Sequence, residues 1–165
     1  SHYDNATLYN DSIVAQIVKR FQKQDAIVIY VPDHGEECYE ENRGFICRNH
    51  SAEIDWPLAH YEFEIPFWIY CSPKYIRNHR DIYRQIRKAK DKRFMTDALP
   101  HLLLYLAGIE TPTYKEEYNI LSPKYDEMRP RILKNSADYD KLRDAHLEKI
   151  KKEESKKVKK KERRN

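Results

Sequence analysis

Six consecutive apolar residues, Ala26-Ile27-Val28-Ile29-Tyr30-Val31, are stopped by Pro32 and followed at once by Asp33-His34-Gly35-Glu36. The run is β-branched and does not alternate with polar residues. That pattern is typical of a strand covered on both faces, as in a parallel sheet flanked by helices. Proline has no N–H to give to a ladder, so the strand ends there. A carboxylate and an imidazole therefore stand just past the carboxyl end of a buried strand, the place where open α/β sheets bind ligands. Gly35 allows a sharp turn at that point.

The rest of the chain supplies partners for this strand. Residues 4–22 place Leu8, Ile13, Val14, Ile17, Val18 and Phe21 at three- and four-residue steps, which predicts an amphipathic helix. Ile65–Cys71 is a second apolar, aromatic strand. Ser72-Pro73 opens a further helical stretch. Thr96-Asp97 offers an N-cap for a helix over Leu99–Ala107, which Gly108 ends. Residues 33–64 read as a long charged excursion, of the kind that carries function inside a compact domain. Residues 110–135 are mixed, and from Ser136 onward the chain is helix-permissive and highly charged. Together these elements give an α/β layer fold with a mostly parallel sheet.

Size and charge narrow the function classes. With 165 residues the chain holds one medium domain. The predicted division is a domain over 1–134 and a charged helical or disordered tail over 135–165. The net charge of +4 is local: residues 151–165 carry nine basic and three acidic residues, leaving the first 150 at −2. A basic stretch confined to the tail does not describe a specific nucleic-acid-binding domain. It is read as a solvated helix end, with docking to anionic lipid head groups and a nucleic-acid contact as the other two readings. No apolar run approaches the roughly 20 residues of a membrane span. The first residue is serine, which suggests a piece of a longer protein. Three glycines rule out a glycine-rich phosphate loop. Cys38 and Cys47 admit two readings, a loop-closing disulfide or two thiols; Cys71 reads as a small buried residue.

Asp33 and His34 form a mixed oxygen–nitrogen donor pair, suited to zinc or another borderline metal. A turn with a capping aspartate and an exposed histidine is the plainer alternative. His50 and His60 are the nearest further imidazoles. His50 is favoured because Arg48 beside it offers a guanidinium for a phosphate oxygen. His101, among leucines, reads as a packing histidine.

In order along the chain, several segments resemble one family. They are Tyr3-Asp4-Asn5 leading into the first helix, Asp33-His34-Gly35-Glu36, Arg48-Asn49-His50, Tyr61 through Tyr70 with its Ile65-Pro66 step, and Phe94-Met95-Thr96-Asp97 running into Leu99-Pro100-His101. The set resembles the sulfatase-like branch of the alkaline phosphatase superfamily. More narrowly it is similar to the membrane phosphoethanolamine transferases that modify lipid A and related glycolipids. The resemblance covers about residues 2–133.

It implies a metal-activated threonine that takes phosphoethanolamine from phosphatidylethanolamine and passes it to a glycolipid acceptor at the periplasmic face of the inner membrane. Asp33 and His34 map to two metal ligands, with zinc expected and calcium or manganese as alternatives. His50 maps to the histidine facing the phosphoryl group or a second metal, with Arg48 beside it. Glu36 falls where a residue orienting His34 would sit. The threonine and an upstream acidic ligand have no counterpart here, nor do the family's membrane helices. The chain is thus read as the C-terminal portion of such an enzyme, with half a metal site and no activity of its own. A sulfatase or phosphoglycerol transferase of the same superfamily is the alternative, and a non-catalytic α/β module with a polyanion-binding tail is the second.

Overall fold

The structure is a computed structural model that describes residues 2–47 and 53–162. It is mixed α/β, as the apolar pattern predicts. Two compact units divide it: residues 1–31 with 67–128, and residues 32–66 with 129–165.

The first unit is built on α1 (His2–Phe21), β1 (Ile27–Tyr30), β4 (Trp68–Cys71), α3 (Pro73–Asn78), α4 (Arg80–Ala89) and α5 (Leu99–Ala107). Asp4 in the first turn of α1 and Lys19 and Arg20 in its last turn match the helix dipole. No residue of α1 is buried. Its apolar stripe is open, with Leu8 71% exposed.

β1 and β4 pair antiparallel, Ile27 opposite Cys71 and Tyr30 opposite Trp68, whose rings stack at 5.2 Å. The parallel pairing expected from the apolar run is not found among the described strands. All three strand pairs are antiparallel. An apolar, β-branched run reads alike in either direction, and here the strands are half-buried rather than covered on both faces.

Ser72 joins the sheet to α3. Its hydroxyl, fully buried, caps α3 by accepting the Tyr75 N–H at 3.0 Å and donates to the Gln24 carbonyl at 2.6 Å. Ser72→Ala removes the cap and leaves the Gln24 carbonyl without this donor. The expected loss is about 1–2 kcal/mol, read from the midpoint of urea unfolding. The helix beyond breaks at His79 into α3 and α4.

A core of Ala89, Leu102, Ile120 and Leu121 holds α4 and α5 together, with Phe67 and Phe94 packed on it. Gly108 ends α5 in the left-handed conformation (φ 66°). Thr96 and Asp97 do not cap α5 by a side-chain bond. They form a 3-10 turn, Thr96–Ala98, that leads into it.

The second unit comprises β2 (Glu37–Cys38), β3 (Phe45–Cys47), α2 (Trp56–Phe63), β5 (Ile132–Leu133), β6 (Ala137–Asp138) and α6 (Tyr139–Glu162). β2 and β3 form a bulged hairpin with Glu37 opposite Cys47 and Cys38 opposite Phe45. The two cysteines are therefore not direct partners in the ladder. Ala59, Leu133 and Tyr139 form the core, flanked by Trp56, Phe63 and Leu142. α6 begins on this core and continues as a charged helix whose residues 147–157 are exposed. Among the described residues no helix is long and apolar enough to cross a membrane.

Candidate metal centre

Asp33 and His34 lie at the start of the second unit and turn toward each other. His34 Nε2 is 3.4 Å from Asp33 Oδ2. Metal bonds of about 2.0–2.2 Å at a tetrahedral angle separate two donors by roughly 3.3–3.5 Å, so this spacing fits two ligands of one zinc ion. The His34 backbone N–H also donates to Asp33 Oδ1 at 3.1 Å, which fixes the carboxylate's rotation. On the other side of the ring, His34 Nδ1 lies 2.8 Å from the Gly35 carbonyl. A carbonyl can only accept, so Nδ1 carries the proton in this bond. In the neutral ring the lone pair then rests on Nε2, the atom facing Asp33. The aspartate side chain is 85% exposed and the histidine 28%, leaving the donors open to solvent.

Close approach, rather than a left-handed φ, makes Gly35 necessary. Its N–H donates to the Glu62 carbonyl at 2.8 Å, and a Cβ there would stand 2.2 Å from the Tyr61 carbonyl oxygen. The last turn of α2 thus presses directly on the backbone that presents Asp33 and His34. Glu36 follows, half-buried. His50 and Arg48, the other residues expected at the site, lie outside the described residues. Among those described, no group of three or more His, Cys, Asp or Glu side chains gathers for a metal. The site is a donor pair.

The same unit holds a group of charges that the sequence did not suggest. Glu37 is fully buried, and Arg43 Nε lies 2.7 Å from its Oε1. Arg43 also pairs with Asp55, whose other oxygen caps α2 by accepting the Leu58 N–H at 3.0 Å. Burial pushes the Glu37 carboxyl above its usual range, against the pull of Arg43. Burial also acts upward on Asp55, but the hydrogen bonds from Arg43 and Leu58 outweigh it and hold that carboxyl low. One signal was available in Asp55-Trp56-Pro57, an N-cap followed by proline in the first turn. The Gly35–Glu62 contact had none, because a backbone contact leaves no mark on residue type.

His60 is committed elsewhere. Its ring stacks on Trp56 at 5.4 Å, and its Nδ1 lies 3.0 Å from Glu64. Tyr139 donates to the same carboxylate, and burial together with that bond pushes its phenol up to about 12. In the first unit, His101 accepts the Lys115 N–H at 3.1 Å and packs on Tyr118, as a packing histidine does.

Residues 1–109 match the sulfatase family model, and the chain belongs to the sulfatase family. Within it the chain is homologous to phosphoethanolamine transferases. It is 32% identical over 128 residues to phosphoethanolamine transferase EptC of Escherichia coli O18:K1:H7 (strain RS218 / NMEC), covering 76% of this chain and 21% of that protein. It is 30% identical over 94 residues to the Kdo(2)-lipid A phosphoethanolamine 7''-transferase of E. coli K12, covering 55% of this chain and 16% of that one. The crystal structure of the C-terminal periplasmic domain of EptC from E. coli superposes with a TM-score of 0.67 at 30% identity, covering 85% of this chain and 40% of that chain. The same domain has been solved in complex with zinc. The chain spans about a fifth of the EptC sequence it matches.

Proposed function

We propose that the chain is the C-terminal part of a zinc-dependent phosphoethanolamine transferase. In this reading it moves phosphoethanolamine from phosphatidylethanolamine to a lipid A-type glycolipid at the periplasmic face of the inner membrane. The reading rests on the 3.4 Å approach of His34 Nε2 to Asp33 Oδ2 in a chain related to such transferases.

Asp33 and His34 hold the ion through Oδ2 and Nε2. A bound zinc ion supplies Lewis acidity to phosphoryl oxygens and lowers the pKa of an attacking hydroxyl. The Gly35 carbonyl keeps the proton on Nδ1, so His34 needs no tautomer change to ligate. The exposure of Asp33 leaves room for the remaining ligands and the donor phosphate. His50 and Arg48 are assigned to the phosphoryl group or a second ion, and Glu36 to orienting His34. Thr7 sits within α1, Thr96 opens the turn before α5, and Thr111 and Thr113 flank Pro112, so the nucleophile is assigned to the part of the sulfatase-family domain this chain does not span. Residues 1–134 carry the catalytic portion and 135–165 the charged tail.

The test follows a labelled phosphatidylethanolamine analogue and bound zinc together. The 165-residue chain alone is expected to give no transfer. In the full-length protein, Asp33→Asn and His34→Gln are each expected to lower transfer and zinc affinity by at least about 100-fold, the upper end of what losing an outer partner costs, with an unchanged circular dichroism spectrum. Wild-type transfer by Asp33→Asn would overturn the assignment.

A further inference from the structure

The first unit contains a cleft of about 370 Å³ that the proposed chemistry does not use. That volume lies within the range of small-molecule sites, roughly 300–1,000 Å³. Phe67, just before β4, and Trp68 and Ile69 within it line the cleft. Phe94 stacks on Phe67 at 4.8 Å, and Leu121, 6% exposed, belongs to the lining as well. Its charged lining residues are Arg87, Lys90 and Lys92, with no acidic residue among the lining.

The three cations are held differently. Lys92 is pinned: its Nζ donates to the Ile120 carbonyl at 3.2 Å and lies 5.5 Å from the Tyr125 ring. An ammonium fixed at the border of an apolar cleft is a preorganised anion contact. Lys90 reaches Asp91 at 3.6 Å, with both side chains well exposed, a pair of little strength. Arg87 makes no ion pair among the described residues and presents a planar fork suited to phosphate. The helix dipole accounts for Arg87, in the last turn of α4. It extends to Lys90, the C-cap of α4, but not to Lys92 or to the cleft these residues line.

We infer that this cleft binds an alkyl phosphate monoester, the chain lying on Phe67, Ile69 and Phe94 and the phosphate meeting Arg87, Lys90 and Lys92. None of its lining residues is assigned to the metal, and the inference does not depend on the transferase reading.

The experiment titrates the purified protein with dodecyl phosphate below its critical micelle concentration, read by calorimetry and by amide NMR shifts. Saturable binding is expected, with shifts confined to residues 67–69, 86–94 and 120–121. Butyl phosphate and inorganic phosphate are expected to bind at least tenfold more weakly, and dodecyltrimethylammonium likewise. Dodecanoate, which tests carboxylate against phosphate, is expected to bind severalfold more weakly. The double variant Arg87→Glu/Lys90→Glu changes two exposed residues. It is expected to lower dodecyl phosphate affinity at least tenfold while binding of neutral dodecyl maltoside stays as it was. Equal binding of anionic and cationic chains, shifts scattered over the surface, no saturable binding, or a double variant with unchanged affinity would overturn the inference.

Discussion

Arg43→Met is expected to destabilise the second unit by about 3 kcal/mol at neutral pH. The substitution keeps most of the apolar stem and removes only the guanidinium. Glu37 is fully buried, so its carboxylate is left without the cation that lies 2.7 Å away. Breaking a buried pair from one side costs roughly 3–5 kcal/mol, and the partial exposure of Arg43 places this case at the lower end. Asp55 loses the same partner but keeps its bond to the Leu58 N–H, so α2 remains capped.

The deficit depends on pH with a definite sign. Burial already raises the Glu37 carboxyl above its unfolded value, against Arg43, and removal of Arg43 raises it further. A raised carboxyl favours the folded state below its unfolded pKa and loses that contribution as pH rises through the folded value. Arg43→Met is therefore most harmful near neutrality and recovers as pH falls toward the carboxylate range. Urea unfolding followed by Trp56 fluorescence at two pH values measures both effects, and Arg43→Lys should restore part of the loss. A loss under about 1 kcal/mol at pH 7 would mean that Glu37 is not held by this pair.

Gly35→Ala is the second large effect. The added carbon would stand 2.2 Å from a backbone carbonyl oxygen, and backbone cannot rotate aside as a side chain can. Either α2 or the segment carrying Asp33 and His34 must move, and the 2.8 Å bond from the Gly35 N–H to Glu62 is then lost. Overpacking of this kind costs about 1–3 kcal/mol, and a lost backbone bond adds about 1 kcal/mol. The donor pair shifts with its backbone, so zinc affinity is expected to fall at least tenfold. Thermal unfolding and a zinc titration separate the two readouts. A variant that melts and binds zinc like the parent would show that the contact is not needed.

Much of the scaffold could be read from residue type alone. α1, β1, β4 and α5 were foreseen because each has a strong period or an unbroken apolar run with clear stops at Pro32 and Gly108. Strand direction was not, since Ile27–Tyr30 and Trp68–Cys71 look alike whichever way they pair. α2 was missed because Trp56–Phe63 is a short helix packed with aromatic and charged residues. Its cap, Asp55, sits in a stretch whose charge suggested a loop.

At the site, the Asp33–His34 pairing was legible from adjacency beyond a strand. The tautomer-fixing carbonyl and the Arg43 group were not, since both depend on distances that only folding creates. His50 and Arg48 remain assigned by resemblance.

The second unit is discontinuous in sequence. Glu64, which Tyr139 meets through its hydroxyl, lies 75 residues before it in the chain. The segment that presents Asp33 and His34 therefore leaves the ribosome well ahead of the helix that completes its core. Closing such a long loop is entropically costly before any contact rewards it. Until then Trp56 and Phe63 lack Tyr139 and Leu142, the neighbours that share their core. Translation thus imposes an interval in which that apolar surface lacks its core neighbours, and truncation before Tyr139 would make that interval permanent.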